Sequence, residues 1–336
     1  PLAKPAIEAI EKDEVRILTE QHKKIALHFL RNIEDWNISR QIAWGIPIPA
    51  WHKNGEWKIT EASPGEGWTQ DPDTFDTWFS SGQWPFVTLG FPDGKDFKTF
   101  YPTSVMETGA DILFFWVARM VMLGLYRTGK VPFRSVYLHG LVRDAKGQKM
   151  SKSKGNVISP LNVTEKFGTD ALRMGLVVGN TPGTDLNLDP QKVGAYKKFA
   201  NKLWNIARFI LTETEDFDPA SKPAVTSTDS ALLARLDEMA KDVTGDLENF
   251  RYHLAAEKLY HYVWHELADK VIEESKPILK GDDAAARASR QHALLAMLET
   301  SLKLLHPFMP FLTEEIWQSM PRKDAELLMV SPWPAH

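Results

Sequence analysis

At 336 residues the chain exceeds one ordinary core, and 43% apolar with 25% charged residues place it among folded chains. The absence of cysteine excludes disulfide scaffolds, thiolate catalysis and cysteine-zinc knuckles. The net charge is −4, with 22 basic and 22 acidic residues through Pro190 and 18 against 22 beyond it, so neither part has the broad basic field of a nonspecific nucleic-acid binder.

The first thirty-odd residues predict helix, with Ile17, Ile25, Leu27 and Leu30 set among charges and Thr19-Glu20 able to start a turn. From Asp35 to about Pro102 the chain is rich in Trp, Pro and Gly and has no clean period. Within it, Ala62–Asp76 predicts an exposed, turn-rich segment. Between Thr99 and Gly179 the pattern becomes alternating strand and helix. A strand at Thr103–Val105 leads into Glu107-Thr108-Gly109, a helix follows over Asp111–Leu125, and Ser135–Val142 suits a buried strand. Helices over Pro160–Phe167 and Thr169–Val178 come after a lysine-rich loop. This order predicts a parallel sheet with ligands at the carboxyl ends of its strands.

The longest apolar stretch, Ile112–Tyr126, is interrupted by Arg119 and is too short to span a bilayer, so a buried helix and no membrane partner are expected. No signal peptide or initiator Met precedes Pro1-Leu2-Ala3-Lys4, and an internal or processed start is expected. After Pro190 the chain reads as a helical bundle. Leu232, Leu236, Met239 and Val243 form one apolar stripe, and Tyr252, Ala256, Leu259, Val263, Leu267 and Val271 form another. Glu213–Asp229 and the turn Gly281-Asp282-Asp283 separate helices. The expected fold class is α/β followed by all-α, with domains at 1–190 and 191–336.

The segment most able to carry chemistry is Lys146–Asn156, with four lysines in the nine positions 146–154 and with Gly147 and Gly155 near its two ends, a pattern that predicts a mobile loop. Lysine is a hydrated point charge on a flexible stem, suited to neutralising moving phosphate oxygens. By composition alone the loop reads either as that or as a solvated basic surface. Several other residues carry two readings. Asp111 either accepts from a ligand's hydroxyls or caps the following helix. His139 and Gly140 end the buried strand, where a histidine is either structural or ligand-binding. Trp44 and Trp116, as tryptophans on apolar segments, read as core by themselves. His52 has no neighbouring ligand set. His261 and His265, spaced i,i+4, lack an evident third metal ligand. Gly65-Glu66-Gly67 carries no nucleotide signal.

The ordered string Lys149-Met150-Ser151-Lys152-Ser153, followed by Lys154-Gly155-Asn156, resembles the signature loop of class I aminoacyl-tRNA synthetases. Asp35–Gln41 with Trp44-Gly45 is similar to the branched-aliphatic members of that family. Asp76–Phe86, Tyr101–Trp116 and Asn201–Asn205 resemble its valyl-type members; isoleucyl relatives usually carry a second Asp near the position of Ser80. No His-x-Gly-His string occurs, and Leu2–Ile10 resembles the exit of the family's inserted editing domain. The resemblance therefore implies the second half of a Rossmann-like catalytic core and a helical anticodon-binding domain, inactive without the rest.

It further implies valine, ATP with magnesium and valine tRNA as ligands, no zinc, a monomer and a cytoplasmic location. Lys149 and Lys152 would meet ATP phosphates, with Met150, Ser151 and Ser153 also at the nucleotide, the two serines either donating hydrogen bonds or shaping the loop. Gly109 and Asp111 would hold the adenylate ribose, His139 and Gly140 the adenosine, and Trp44 and Trp116 the amino-acid side chain. A standalone RNA-binding module with a degenerate nucleotide fold, or an isoleucyl- or leucyl-type enzyme, are the alternatives.

Overall fold

A threonine cap splits the helix expected at the N-terminus. In the computed structural model, which describes residues 1–334, α1 (Ala3–Glu11) gives way to β1 (Arg16–Ile17) before α2 (Glu20–Arg31) begins. Thr19 Oγ1 accepts from the His22 amide at 3.2 Å and so satisfies one of the free donors at the start of α2. Asp13, at φ 56°, turns the chain out of α1. The β-branched pair Val15 and Ile17 is buried, and tertiary pairing with a distant strand overrides the local helical pattern there.

The irregular region that follows holds more order than its lack of period suggests. It contains β2 (Ser39–Arg40), β3 (Ala50–Lys53), β4 (Glu56–Ile59), β5 (Thr69–Gln70), β6 (Thr74–Phe75) and short helices α3 (Thr77–Ser81), α4 (Trp84–Val87) and α5 (Lys95–Phe100). Strands β4, β3 and β5 form one antiparallel sheet, and β2 pairs with β6. Asn54 and Gly55, both at positive φ, make the two-residue turn of the β3–β4 hairpin. The segment expected to be exposed through Asp76 is in fact anchored at its end, because Thr74 and Asp76 are buried.

Strand β7 (Thr103–Gly109), α6 (Ala118–Thr128) and β8 (Phe133–His139) complete the first unit, which ends at Gly140. The sheet order is β1-β8-β7, all parallel, with Gly109 opposite His139 and Ile17 opposite Val136. The helix expected from Asp111 begins instead as a 3₁₀ turn (Ala110–Ile112) and a π segment (Leu113–Val117), and α6 then runs to a left-handed Gly129. The strand expected over Ser135–Val142 starts two residues earlier and stops at His139. Ile10, Leu30, Met120, Phe133, Val136 and Leu138 form the core under this sheet.

In the second unit, Leu141 onward, β9 (Val142–Arg143) pairs in parallel with β10 (Leu186–Asn187), and α7 (Pro160–Phe167) and α8 (Thr169–Val177) lie between them in sequence. Pro190, capped by Asp189, opens α9 (Pro190–Glu213). Then come α10 (Ser227–Glu248), α11 (Tyr252–His261), a π segment (Tyr262–Ile272), α12 (Glu273–Lys280), α13 (Ala284–Leu305) and α14 (Pro310–Gln318). Both apolar stripes face inward: Leu236, Val243, Ala256, Leu259, Val263, Leu267 and Val271 are buried.

Inside this bundle lies a fully buried ion pair. The Arg290 guanidinium sits 2.5 Å from Asp229, whose carboxylate also accepts from Ser289 and Thr226. Arg290 in turn donates to Ser275 Oγ at 2.9 Å. No described helix is long and apolar enough to cross a membrane.

Candidate active site

Parallel strands end their backbone ladders with groups facing the same edge, and β7 and β8 bring four of the expected residues to that edge. Gly109 and His139 are register partners. The His139 ring has Nδ1 2.8 Å from the Gly140 carbonyl and Nε2 3.4 Å from the Glu107 carboxylate. Gly109 has ordinary extended torsions, so its lack of a side chain is not a backbone requirement. It is a steric one: a Cβ there would lie 2.6 Å from Asp111 Oδ1. Asp111 does not cap the helix, because Gly109 occupies the cap and Asp111 lies inside the 3₁₀ turn. Its exposed carboxylate beside a bare backbone is chemically suited to accept from a ligand's hydroxyls.

Of the two tryptophans, Trp44 lines an open cavity of the same unit, about 720 Å³, together with Gly45, Phe75, Ser80, Ser81 and Trp84 among others, whereas Trp116 does not line it. Trp44 is 91% exposed and presents a whole ring to this space. Trp116 contacts two of the lining residues: its Nε1 donates to the Ser81 carbonyl at 3.1 Å, and its ring lies 6.3 Å from that of Trp84. The π segment carrying Trp116 shifts its helical phase relative to α6. A Cβ on Gly45 would meet Thr74 at 2.8 Å, which ties the Trp44 segment to buried β6.

Next to this wall is a cluster that sequence reasoning missed. The buried Asp76 carboxylate accepts from Arg40, from the Trp78 amide at 2.7 Å and from Trp36 Nε1 at 3.4 Å. The Arg119 guanidinium lies 3.6 Å from the centre of the Trp36 ring, and burial pushes its pKa down. Both segments, Asp35–Gln41 and Asp76–Phe86, stand out in the sequence, but nothing local shows that they bond to each other.

The lysine loop lies in the second unit, after β9. Asp144 Oδ1 accepts from the Lys146 and Gln148 amides at 2.9 and 2.8 Å, and Oδ2 accepts from Asn156 Nδ2 at 2.9 Å. These bonds, the one from Asn156 largest, hold the Asp144 carboxyl below its ordinary range. Asn156 also donates to the Lys149 carbonyl at 3.3 Å and accepts from the Ser151 amide at 3.0 Å.

Ser151 caps a 3₁₀ turn over Lys152–Lys154, its Oγ accepting from the Lys154 amide and lying 3.2 Å from Ser153 Oγ. Met150 Sδ accepts from the Ile158 amide at 3.4 Å. Gly147 and Gly155, at φ 76° and 65°, make the loop's turns. Lys149, Lys152 and Lys154 are exposed, and none has an ion-pair partner among the described residues. The loop thus has a hydrogen-bonded backbone beneath free cationic heads.

On the bundle, α10, α11 and the π segment line an open groove of about 930 Å³ with Arg235, Lys241, Lys258, His261, Tyr262 and His265. The His261 and His265 rings stack at 5.6 Å and face Glu257 and Asp269 respectively. His52 lies on β3 with its ring 5.1 Å from that of Trp57. Among the described residues no three His, Cys, Asp or Glu side chains stand together as metal ligands.

The chain is similar to known proteins. The family described as tRNA synthetases class I (I, L, M and V) matches residues 1–67 and 55–189, and the anticodon-binding domain of tRNA ligase matches residues 229–336. The valine--tRNA ligase of Geobacillus kaustophilus is 46% identical over 346 residues, covering 99% of this chain and 39% of that protein. The valine--tRNA ligase of Syntrophotalea carbinolica is 48% identical, covering 98% of the chain and 38% of that protein.

Among solved structures, Mycobacterium tuberculosis methionyl-tRNA synthetase in complex with methionyl-adenylate aligns with a TM-score of 0.77 at 22% identity, covering 94% of this chain and 60% of that one. An Agrobacterium radiobacter LeuRS–tRNA–LeuAMS complex aligns at 0.73 and 22%, over 94% and 46%. These two likenesses concern the fold. The chain spans about two fifths of the length of the valine--tRNA ligases it matches. The synthetase model covers more than half of the chain, which thus belongs to the class I tRNA synthetases of the I, L, M and V group.

Proposed function

We propose that the chain is part of a valine--tRNA ligase, with residues 1–190 supplying the second half of the catalytic core and residues 191–336 the anticodon-binding domain. The observation that carries this reading is the Lys149–Ser153 loop, a braced backbone with unpaired lysine heads, in a chain 44–48% identical to valine--tRNA ligases. The substrates are valine, ATP as its magnesium complex, and valine tRNA. Magnesium arrives on the phosphates, zinc has no role, and the protein works as a cytoplasmic monomer.

In the first step an oxygen of the valine carboxylate attacks the α-phosphorus of ATP. The bond to the bridging oxygen breaks, and pyrophosphate leaves with the electron pair. This displacement asks the protein for alignment and charge neutralisation rather than covalent help. Lys149 and Lys152 neutralise the phosphates, and Lys152 gains most as charge moves onto the leaving pyrophosphate. Ser151 and Met150 hold the loop's shape through the bonds described, and Ser153 is a donor at its tip. Asp111 accepts from the ribose hydroxyls next to the bare backbone of Gly109. His139 and Gly140 border the adenosine. Trp44 and Trp116 wall the valine pocket.

In the second step a tRNA terminal hydroxyl attacks the valyl carbonyl; its proton is lost and AMP departs. The test is valine-dependent ATP–pyrophosphate exchange by a polypeptide of the relatives' full length containing this chain, run beside isoleucine, leucine and methionine. Exchange fastest with valine supports the reading. Preference for another amino acid, or no exchange, overturns it.

A further inference from the structure

We infer that Asp144 and Asn156 are positioning residues for adenylate formation, a cross-brace that sets the lysine loop before ATP arrives; the inference rests on the ligase reading above. The geometry singles out this pair. The side-chain amide of Asn156 bonds both backbone groups that flank Met150: it donates to the Lys149 carbonyl at 3.3 Å and accepts from the Ser151 amide at 3.0 Å. It thereby does for one residue step what a neighbouring strand would do.

Asp144, twelve residues earlier, grips the near end of the same loop through the Lys146 and Gln148 amides. It joins Asn156 at 2.9 Å. On the opposite side, Arg143 bridges to Lys149 through backbone pairing, and Arg143 is itself tied to the Asp185 carboxylate. The backbone at Lys149 is therefore held from two sides and that at Ser151 by Asn156, while the lysine ammonium groups stay free.

The chemical consequence concerns the rate more than the binding of ATP. Phosphate oxygens attract any nearby lysine, ordered or not, so ground-state affinity depends weakly on the brace. Stabilising charge as it shifts toward pyrophosphate needs the lysines at fixed places beforehand, because reorganising a loose loop during the reaction forfeits that benefit. Neither residue touches substrate in this scheme; each acts through the backbone of Lys149–Lys152.

The bond between the two side chains has a direction, and that gives the test. Asp144→Asn turns an amide NH₂ toward the NH₂ of Asn156. Asn156→Asp sets two carboxylates face to face and removes both donations. The double exchange D144N/N156D restores the central bond with donor and acceptor swapped, keeps the acceptor for the Ser151 amide, and loses only the Lys149 contact. In full-length protein, each single variant is expected to lower single-turnover adenylate formation about ten- to thirtyfold at saturating ATP and valine. The ATP concentration giving half-maximal rate should move less than about threefold, and melting temperature should hold. The double variant should recover to within about threefold of wild type.

Single variants that match wild type, or a double variant whose loss is the product of the two single losses, overturn the brace alone. Equal losses in rate and ATP affinity accompanied by a lower melting temperature also overturn it, in favour of plain destabilisation. A wild-type protein with no valine-dependent exchange overturns the ligase reading and this inference together.

Discussion

Replacing Arg290 by methionine removes one charge from the driest part of the bundle. Arg290 and Asp229 are each 1% exposed, 2.5 Å apart, and joined to Ser275, Ser289 and Thr226. Breaking a buried pair by removing one partner costs about 3–5 kcal/mol, because the remaining charge stays buried without its counterion. Asp229 keeps the Ser289 and Thr226 hydroxyl bonds, and Thr226 still caps α10, so the lower end, about 3 kcal/mol, is expected. For a unit of this size that lowers the melting temperature by about 6–12 °C.

The assay is thermal and urea unfolding of the 336-residue chain followed by circular dichroism at the helical band. The double variant D229N/R290M leaves no net charge behind and should cost less than R290M alone. A loss below about 1 kcal/mol for R290M, or a double variant worse than the single, would refute the argument that the pair holds the bundle through mutual compensation.

Three further outcomes follow from the same geometry. Lys152→Ala in the full-length protein should slow adenylate formation about a hundredfold, equivalent to about 3 kcal/mol, with valine affinity unchanged; an unaltered single-turnover rate would make the lysine a solvated loop residue. Gly109→Ala forces a Cβ to within 2.6 Å of Asp111 Oδ1, so the carboxylate must move, and the half-saturating ATP concentration should rise about tenfold while helical content holds. His306, half-buried and 2.8 Å from Thr313 Oγ1, has its pKa pushed below the ordinary 6.5 by burial. Its neutral form is therefore favoured by folding: that stability is present above pH 6.5 and is lost as pH falls through the lower folded value. His306→Gln should flatten the decline in urea midpoint on the acid side of pH 6.5, and an unchanged slope would exclude this group.

How much of this was legible beforehand depends on the range of each interaction. The helices Pro160–Phe167 and Thr169–Val177 end within a residue of the expected bounds, because Pro160 and Gly168 are local signals that act at once. The bundle stripes were equally visible, since burial in a bundle repeats with the helical period. Strand β1 was not. Two residues carry no period, and their conformation is set by β8, more than a hundred residues away. The same holds for Asp76, whose burial depends on Arg40 and Trp36 arriving from another segment.

The lysine loop shows why a motif and a site are different objects. Its string of residues points to phosphate chemistry through resemblance, while composition alone favours a solvated surface. Structure adds what neither contains: the lysine heads have no ion-pair partners among the described residues, while the backbone beneath them is bonded at both flanks of Met150. A solvated charge run needs no such restraint, since water would satisfy the Lys149 carbonyl and the Ser151 amide at little cost. The glycines at 147 and 155 would by themselves favour many conformations. Asp144 and Asn156 select one, and selection of a single backbone beneath unpaired charges is what a loop acting on a charge-shifting transition state requires.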